Sequence, residues 1–276
     1  MVFKLKILFL FFMSREKIDG GFIKYKRKVN NFIMIRLVLA VIFVAVFLIV
    51  SLPIQGILWI VGKFNPWAKK TASLAIVSWA FNVVIFISGV KRTVIGEENI
   101  PKDKAVLYVG NHRSIFDIVL CYPRVPNPTG FIAKKEILKV PLLNIWMIYM
   151  DCLFLDRKDL KKGLEMILSA IEKVKNGISI FIYPEGTRNK TDQPLGEFHK
   201  GSFKIAQRTD CPIVPVVVTH TEDILEKHFP LIKSTHVTIE YCKPVVMSEL
   251  SKEDQKNIDQ YVKKIVEETY LKNVNS

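Results

Sequence analysis

Hydrophobic and polar positions change their rhythm near residue 92. Upstream, residues 37–62 hold no charge, and neither do residues 71–90. The basic stretch Lys63-Phe64-Asn65-Pro66-Trp67-Ala68-Lys69-Lys70 separates the two runs, and Lys91-Arg92 closes the second. Each run reaches the ~20 residues that a spanning helix needs, so both predict helices in a membrane rather than in a soluble core. Ser51, Pro53, Gln55 and Gly56 interrupt the first run, and proline breaks the interior hydrogen-bond ladder of a helix. In the second, Thr71, Ser78, Asn82 and Gly89 recur at spacings of seven, four and seven, a narrow polar stripe on one face. Two full spans would carry residues 63–70 across the membrane, against the tendency of basic loops to stay cytosolic. A re-entrant or interfacial pair keeps every basic cluster on the cytosolic side and is the preferred arrangement.

From Thr93 the pattern alternates between short apolar runs and longer amphipathic ones. Residues 105–109, 131–133, 178–183, 213–218 and 236–241 read as strands; residues 114–121, 160–174, 201–208 and 252–271 read as helices. Such alternation predicts an α/β domain with a central mixed, largely parallel sheet flanked by helices. The chain divides into a basic extension (1–33), an apolar helical membrane motif (34–92) and the α/β domain (93–276).

Charge sharpens that division. Lys and Arg outnumber Asp and Glu by 40 to 26, a net of +14, yet residues 1–92 carry 14 cations against Glu16 and Asp19 alone. A basic excess confined to the most apolar part argues against a nucleic-acid-binding domain, whose cations lie on a folded polar face. It favours an anionic membrane surface. Cys121, Cys152, Cys211 and Cys242 are isolated, with neither zinc-ligand nor disulfide-framework spacing, and fit a reducing cytosol. His199, His220, His228 and His236 show no metal-ligand spacing either. Residues 7–13 are short for a signal-peptide core and lack a cleavage site, so no cleaved signal is expected. Met34 offers an alternative start that would leave residues 1–33 out of the native chain.

Candidate chemistry lies at the ends of the strand-like runs, where open α/β sheets place their functional loops. In Gly110-Asn111-His112-Arg113-Ser114-Ile115-Phe116-Asp117, an Asp five positions after a His can sit against the imidazole and stabilise it as it takes a proton. The other reading of this segment is a helix cap with an incidental His. No G-x-S-x-G nucleophile elbow is present, so an attacking hydroxyl would come from the substrate. Tyr183-Pro184-Glu185-Gly186-Thr187-Arg188 joins a flexible Gly to an Arg fork suited to phosphate. Arg157 follows a second apolar run, and Lys134-Lys135 a third. Each cation taken singly reads as a surface ion pair.

Asn111-His112-(x4)-Asp117, Phe154-Leu155-Asp156-Arg157, Tyr183-Pro184-Glu185-Gly186-Thr187-Arg188 and Ile213-Val214-Pro215-Val216 resemble, in order, the four blocks of the glycerolipid acyltransferase family. Within it the chain is most similar to the bacterial 1-acyl-sn-glycerol-3-phosphate acyltransferases, from about Thr93 to about Tyr241. The resemblance implies that His112 is a general base oriented by Asp117. It implies that Glu185, Gly186, Thr187 and Arg188 bind the acceptor, with Arg157 and Lys135 assisting at its phosphate. Lysophosphatidic acid would be the acceptor and acyl-CoA or acyl carrier protein the donor, with no metal and no further cofactor. The work would be done on the cytoplasmic face of the cell membrane. Other acceptors of the same family type are a lyso-aminolipid, glycerol 3-phosphate or a lysophospholipid; a non-catalytic lipid-binding protein is the alternative outside enzymes. Tyr183 stands where Phe is common, Leu155 where Ile is common and Asn189 where Ser is frequent.

Overall fold

The computed structural model describes residues 31–156 and 159–275. Most of the basic extension therefore lies outside the described residues. The first apolar run forms α1 (Asn31–Val50) and α2 (Leu52–Phe64), which meet at a bend of 49°. Pro53 explains the break: it sits in the first turn of α2, where its missing N–H costs no helical bond. α3 (Pro66–Ser88) is capped at its start by Asn65, whose side chain accepts from the Ala68 N–H at 2.9 Å. It stops at Gly89, whose φ of 66° closes the last turn with a left-handed residue.

The remaining chain folds as β1 (Lys91–Ile95), β2 (Leu107–Gly110), α4 (Phe116–Cys121), β3 (Thr129–Lys134), α5 (Leu143–Tyr149) and β4 (Leu153–Leu155). Then follow α6 (Leu160–Lys175), β5 (Ser179–Ile182), α7 (Lys204–Thr209), β6 (Ile213–Thr219), β7 (His236–Tyr241), α8 (Lys252–Lys256) and α9 (Ile258–Val274). The seven strands form one sheet in the order β1-β7-β6-β2-β5-β3-β4. β6, β2, β5, β3 and β4 run parallel, while β7 is antiparallel to β6 and carries β1 parallel to itself. This is the mixed, largely parallel sheet expected. The expected helix over 252–271 is two helices that part at Asn257.

Alternate residues of the central strands feed two cores. Val106, Tyr108, Phe131, Phe181, Val214, Val216 and Val218 face α3 and α4. Leu107, Val109, Ile180, Ile182, Ile213 and Val217 face α6, α7 and α9. A sheet covered on both faces needs continuous rather than alternating apolar strands, and the uncharged run 213–218 supplies one.

Both ends of α3 are tied to the α/β domain. Lys70 at its start pairs with Asp151, which also binds Lys173 of α6 at 2.6 Å. At its finish Ser234 Oγ donates to the Gly89 carbonyl. Gln55 of α2 donates to the Leu142 carbonyl at 3.2 Å, and Trp146 Nε1 donates to Ser51 Oγ at 3.0 Å. The outward faces of α1 and α2 are apolar and exposed, with Val38, Ile42, Val46, Ile49, Ile57, Ile60 and Phe64 among them.

Candidate active site

The ends of the parallel strands define one edge of the sheet, and β2 ends at its centre, between β5 and β6. Gly110 closes β2. A Cβ there would lie 3.0 Å from the Phe181 ring and 3.1 Å from the Tyr183 ring, so the glycine lets those aromatics approach. Asn111, fully buried, then extends the ladder with its side chain. Its amide donates to the Val218 carbonyl at 2.9 Å and its oxygen accepts from the Val218 N–H at 2.8 Å. The chain can therefore leave the sheet without orphaning a buried main-chain group.

His112 comes next. Its Nδ1 lies 2.8 Å from Asp117 Oδ2. A carboxylate only accepts, so this contact places the proton on Nδ1 and leaves the Nε2 lone pair free. Asp117 is fully buried, and three more donors hold it. The Arg113 and Ser114 N–H groups each reach Oδ2 at 2.8 Å, and Thr221 Oγ1 donates to Oδ1 at 2.5 Å. The His112 ring is stacked on Tyr183, with centroids 4.2 Å apart and planes 18° from parallel. The Tyr183 hydroxyl is buried without a partner among the described residues, and burial pushes it well above the usual phenol range.

The segment after β5 braces this loop. Glu185 Oε1 accepts from the His112 N–H at 2.8 Å and Oε2 from the Gly196 N–H at 2.7 Å. Burial raises its carboxyl above the usual range, and the two N–H donors oppose that rise. Gly186 has a φ of +68°, and a Cβ on it would meet the His199 ring at 3.3 Å. Asn189 N–H returns to the His112 carbonyl at 2.7 Å.

The Acyltransferase family model matches residues 91–219. A 1-acyl-sn-glycerol-3-phosphate acyltransferase of Borreliella burgdorferi is 33% identical over 189 residues, 66% of this chain and 75% of that protein. One from Saccharomyces cerevisiae is 31% identical over 175 residues, covering 63% of this chain and 57% of that one. The crystal structure of the 1-acyl-sn-glycerophosphate (LPA) acyltransferase from Thermotoga maritima superposes with a TM-score of 0.74 at 26% identity, over 87% of this chain and 95% of that one. The chain belongs to the acyltransferase family.

Among acyltransferase residues named from the sequence, the structure brings together His112, Asp117, Glu185, Gly186, Thr187 and Arg188 at the ends of β2 and β5. Arg157 lies outside the described residues. Lys135 follows β3, which is separated from β2 by β5, so its Cα stands roughly 10 Å along the edge at ordinary strand spacing. Its amine is paired with Asp156, and that hydrogen bond raises its pKa. Glu185, expected to touch the acceptor, spends both oxygens on main-chain N–H groups of its own chain. Thr221, Glu226 and the stacking role of Tyr183 escaped the sequence reading. Thr221 is 104 residues from its partner, and no spacing rule reaches so far.

Proposed function

We propose that this chain transfers an acyl group from a thioester, acyl-CoA or acyl carrier protein, to the free hydroxyl of 1-acyl-sn-glycerol 3-phosphate, giving phosphatidic acid. The observation that carries the reading is the His112–Asp117 pair, whose carboxylate is locked by three further donors while Nε2 stays available. His112 Nε2 takes the hydroxyl proton as the oxygen attacks the thioester carbonyl. The C–O bond forms, the C–S bond breaks, and the imidazolium returns the proton to the departing thiolate. Asp117 stabilises the imidazolium throughout.

Direct transfer is supported by the absence of a competent thiol among the described residues. All four cysteines are buried. Burial raises the Cys152 thiol to about 12 and Cys121 well above its usual value, and a thiol is nucleophilic only as thiolate. Arg188, with Lys135 further along the edge, supplies cations for the acceptor phosphate. No metal or cofactor enters this scheme.

Membrane attachment through α1–α3 belongs to the same proposal. α3 is long and apolar enough to cross a bilayer, but the α/β domain holds both its ends. That supports an interfacial seat in one leaflet, on the cytoplasmic face, over a transmembrane span. An assay of the full chain in lipid vesicles, with acyl thioester and 1-acylglycerol 3-phosphate, should release thiol and form phosphatidic acid. His112→Ala should lower turnover by about 10³-fold or more; full activity in that variant would refute the mechanism.

A further inference from the structure

Glu226, in the turn that follows β6, contacts two parts of the site at once. Its Oε1 accepts from Arg188 Nη1 at 2.9 Å and from the Ile115 N–H at 2.9 Å. Its Oε2 accepts from Ser114 Oγ at 2.6 Å. Ser114 in turn donates its N–H to Asp117 Oδ2, and its Oγ accepts from the Phe116 N–H at 3.0 Å. One carboxylate thus joins the loop bearing the His112–Asp117 pair to the arginine placed for the acceptor's phosphate.

The neighbouring acids have other work. Glu222 binds Arg113 Nε at 2.9 Å and Lys227 at 3.4 Å, and Asp223 binds Lys227 at 2.9 Å. The Arg188–Glu226 pair is partly shielded, with side chains 34% and 22% exposed. The contact engages one corner of a guanidinium that carries five N–H groups. A long arginine loses much rotamer freedom when it binds an anion, and a partner that fixes its direction beforehand lowers that loss.

We infer that Glu226 is a positioning residue, a strut that sets the spacing between the His112 base and the Arg188 fork so that a hydroxyl reaches Nε2 only when its own phosphate sits on Arg188. This rests on the acceptor being a phosphate monoester, as proposed above. Small displacements of such groups are costly because reacting atoms must meet within a few tenths of an ångström. Gln is the informative replacement. Its oxygen still accepts from Ile115, and its amide can donate to Ser114 Oγ, because a hydroxyl both donates and accepts; the charge that aims Arg188 is gone.

Steady-state kinetics of the full chain in vesicles, for wild type, Glu226→Gln, Arg188→Ala and the double variant, tests the strut. With acyl thioester and 1-acylglycerol 3-phosphate, Glu226→Gln should raise the acceptor KM about tenfold, a change of one arginine contact's order, and leave the donor KM within about twofold. In the Arg188→Ala background the same substitution should add nothing, since two residues acting through one contact are not additive. A fall in acceptor KM would make Glu226 a competitor for the phosphate and overturn the inference. So would an unchanged acceptor KM, an equal rise in donor KM, or an undiminished effect without Arg188. A wild-type chain that acylates a different phosphate-bearing acceptor overturns the acceptor reading alone, and the same cycle on that compound decides the strut. Acylation of uncharged acceptors only overturns both.

Discussion

At the ends of β2 and β5, Asp117, Glu185 and Asn111 are buried and held by several partners from their own chain. Asp117 accepts four hydrogen bonds, Glu185 two from main-chain N–H groups, and Asn111 continues a strand ladder with its amide. At the ends of β3 and β4 the same sheet edge is built otherwise. Lys135 is about half exposed there, and Asp156 takes Lys135 together with Lys162 at 3.9 Å. The first arrangement fixes one proton-accepting nitrogen in one direction, which general-base chemistry requires. The second leaves Lys135 and Lys162 about half exposed to water while paired with Asp156. Under the proposed mechanism, the buried, hydrogen-bonded end is where the proton would move and the exposed end is where a charge would be held.

The comparison breaks most visibly if the buried end tolerates change. Asp117→Asn is expected to lower kcat by about 10³-fold, within the range spanned by general acid–base contributions. Asn can keep its oxygen on the His112, Arg113 and Ser114 donors and turn its NH₂ to the Thr221 hydroxyl, which also accepts, so what is lost is the charge that stabilises the imidazolium. Retention of even a tenth of wild-type turnover would mean that the imidazole does not depend on this partner. Urea unfolding of the same variant should show a loss of no more than about 1–2 kcal/mol, as charge-assisted hydrogen bonds become neutral ones.

Glu185 sharpens the contrast through pH. Burial holds its carboxyl above the unfolded value, so the native state binds the proton more tightly than the unfolded chain. The contribution of this group to stability is therefore greatest below the unfolded carboxylate pKa and is lost as pH rises through the raised native one. Glu185→Gln should remove that slope from the urea midpoint and lower stability at neutral pH by about 1–3 kcal/mol, because its NH₂ must confront either His112 N–H or Gly196 N–H. An unchanged slope would show that another group carries the titration.

How much of this was readable in the chain follows from the distances in sequence. Strands β2, β5 and β6 stood out because strands buried on both faces are uninterrupted apolar runs, and the kink between α1 and α2 because Pro53 marks it. β1 was missed: Lys91 and Arg92 open it, and its alternate residues face water at the sheet's margin. The break at Asn257 was missed because α8 and α9 share one amphipathic rhythm. His112 and Asp117 were legible as a pair since five residues and one turn contain them. Thr221 and Glu226 meet the same loop from more than a hundred residues away, and only the β6–β2 pairing brings them there. Glu185 was noticed for its motif, but its position over the His112 N–H follows from the β5–β2 register.

Tyr183 tests the buried end from its apolar side. Stacked aromatic pairs contribute about 0.5–1.5 kcal/mol beyond area burial, and a ring face favours the imidazolium over the neutral imidazole. Tyr183→Leu should therefore lower kcat several-fold. Tyr183→Phe keeps the ring and removes a hydroxyl that has no partner among the described residues, so it should match wild type in kcat. A Phe variant as impaired as Leu would show that the hydroxyl, not the stacked ring, matters.

The smallest effect is expected at the exposed end. Lys135→Met removes a cation whose raised pKa comes first from its hydrogen bond to Asp156, and whose side chain is 47% exposed. Lys135 is half exposed but Asp156 is buried, so a carboxylate that loses one of its cations should lower the thermal midpoint slightly. The acceptor KM should rise by about two- to threefold, a change of the order expected when one exposed charge no longer attracts the substrate. That rise should be salt-dependent. Raising ionic strength from 0.1 M to 1 M shortens the Debye length from about 10 Å to about 3 Å, and wild type and variant should converge on one acceptor KM. Asp117→Asn should remain as impaired at 1 M as at 0.1 M salt, because water and ions do not enter its hydrogen bonds. Equal salt sensitivity of the two variants would erase the distinction between a locked end and an open one.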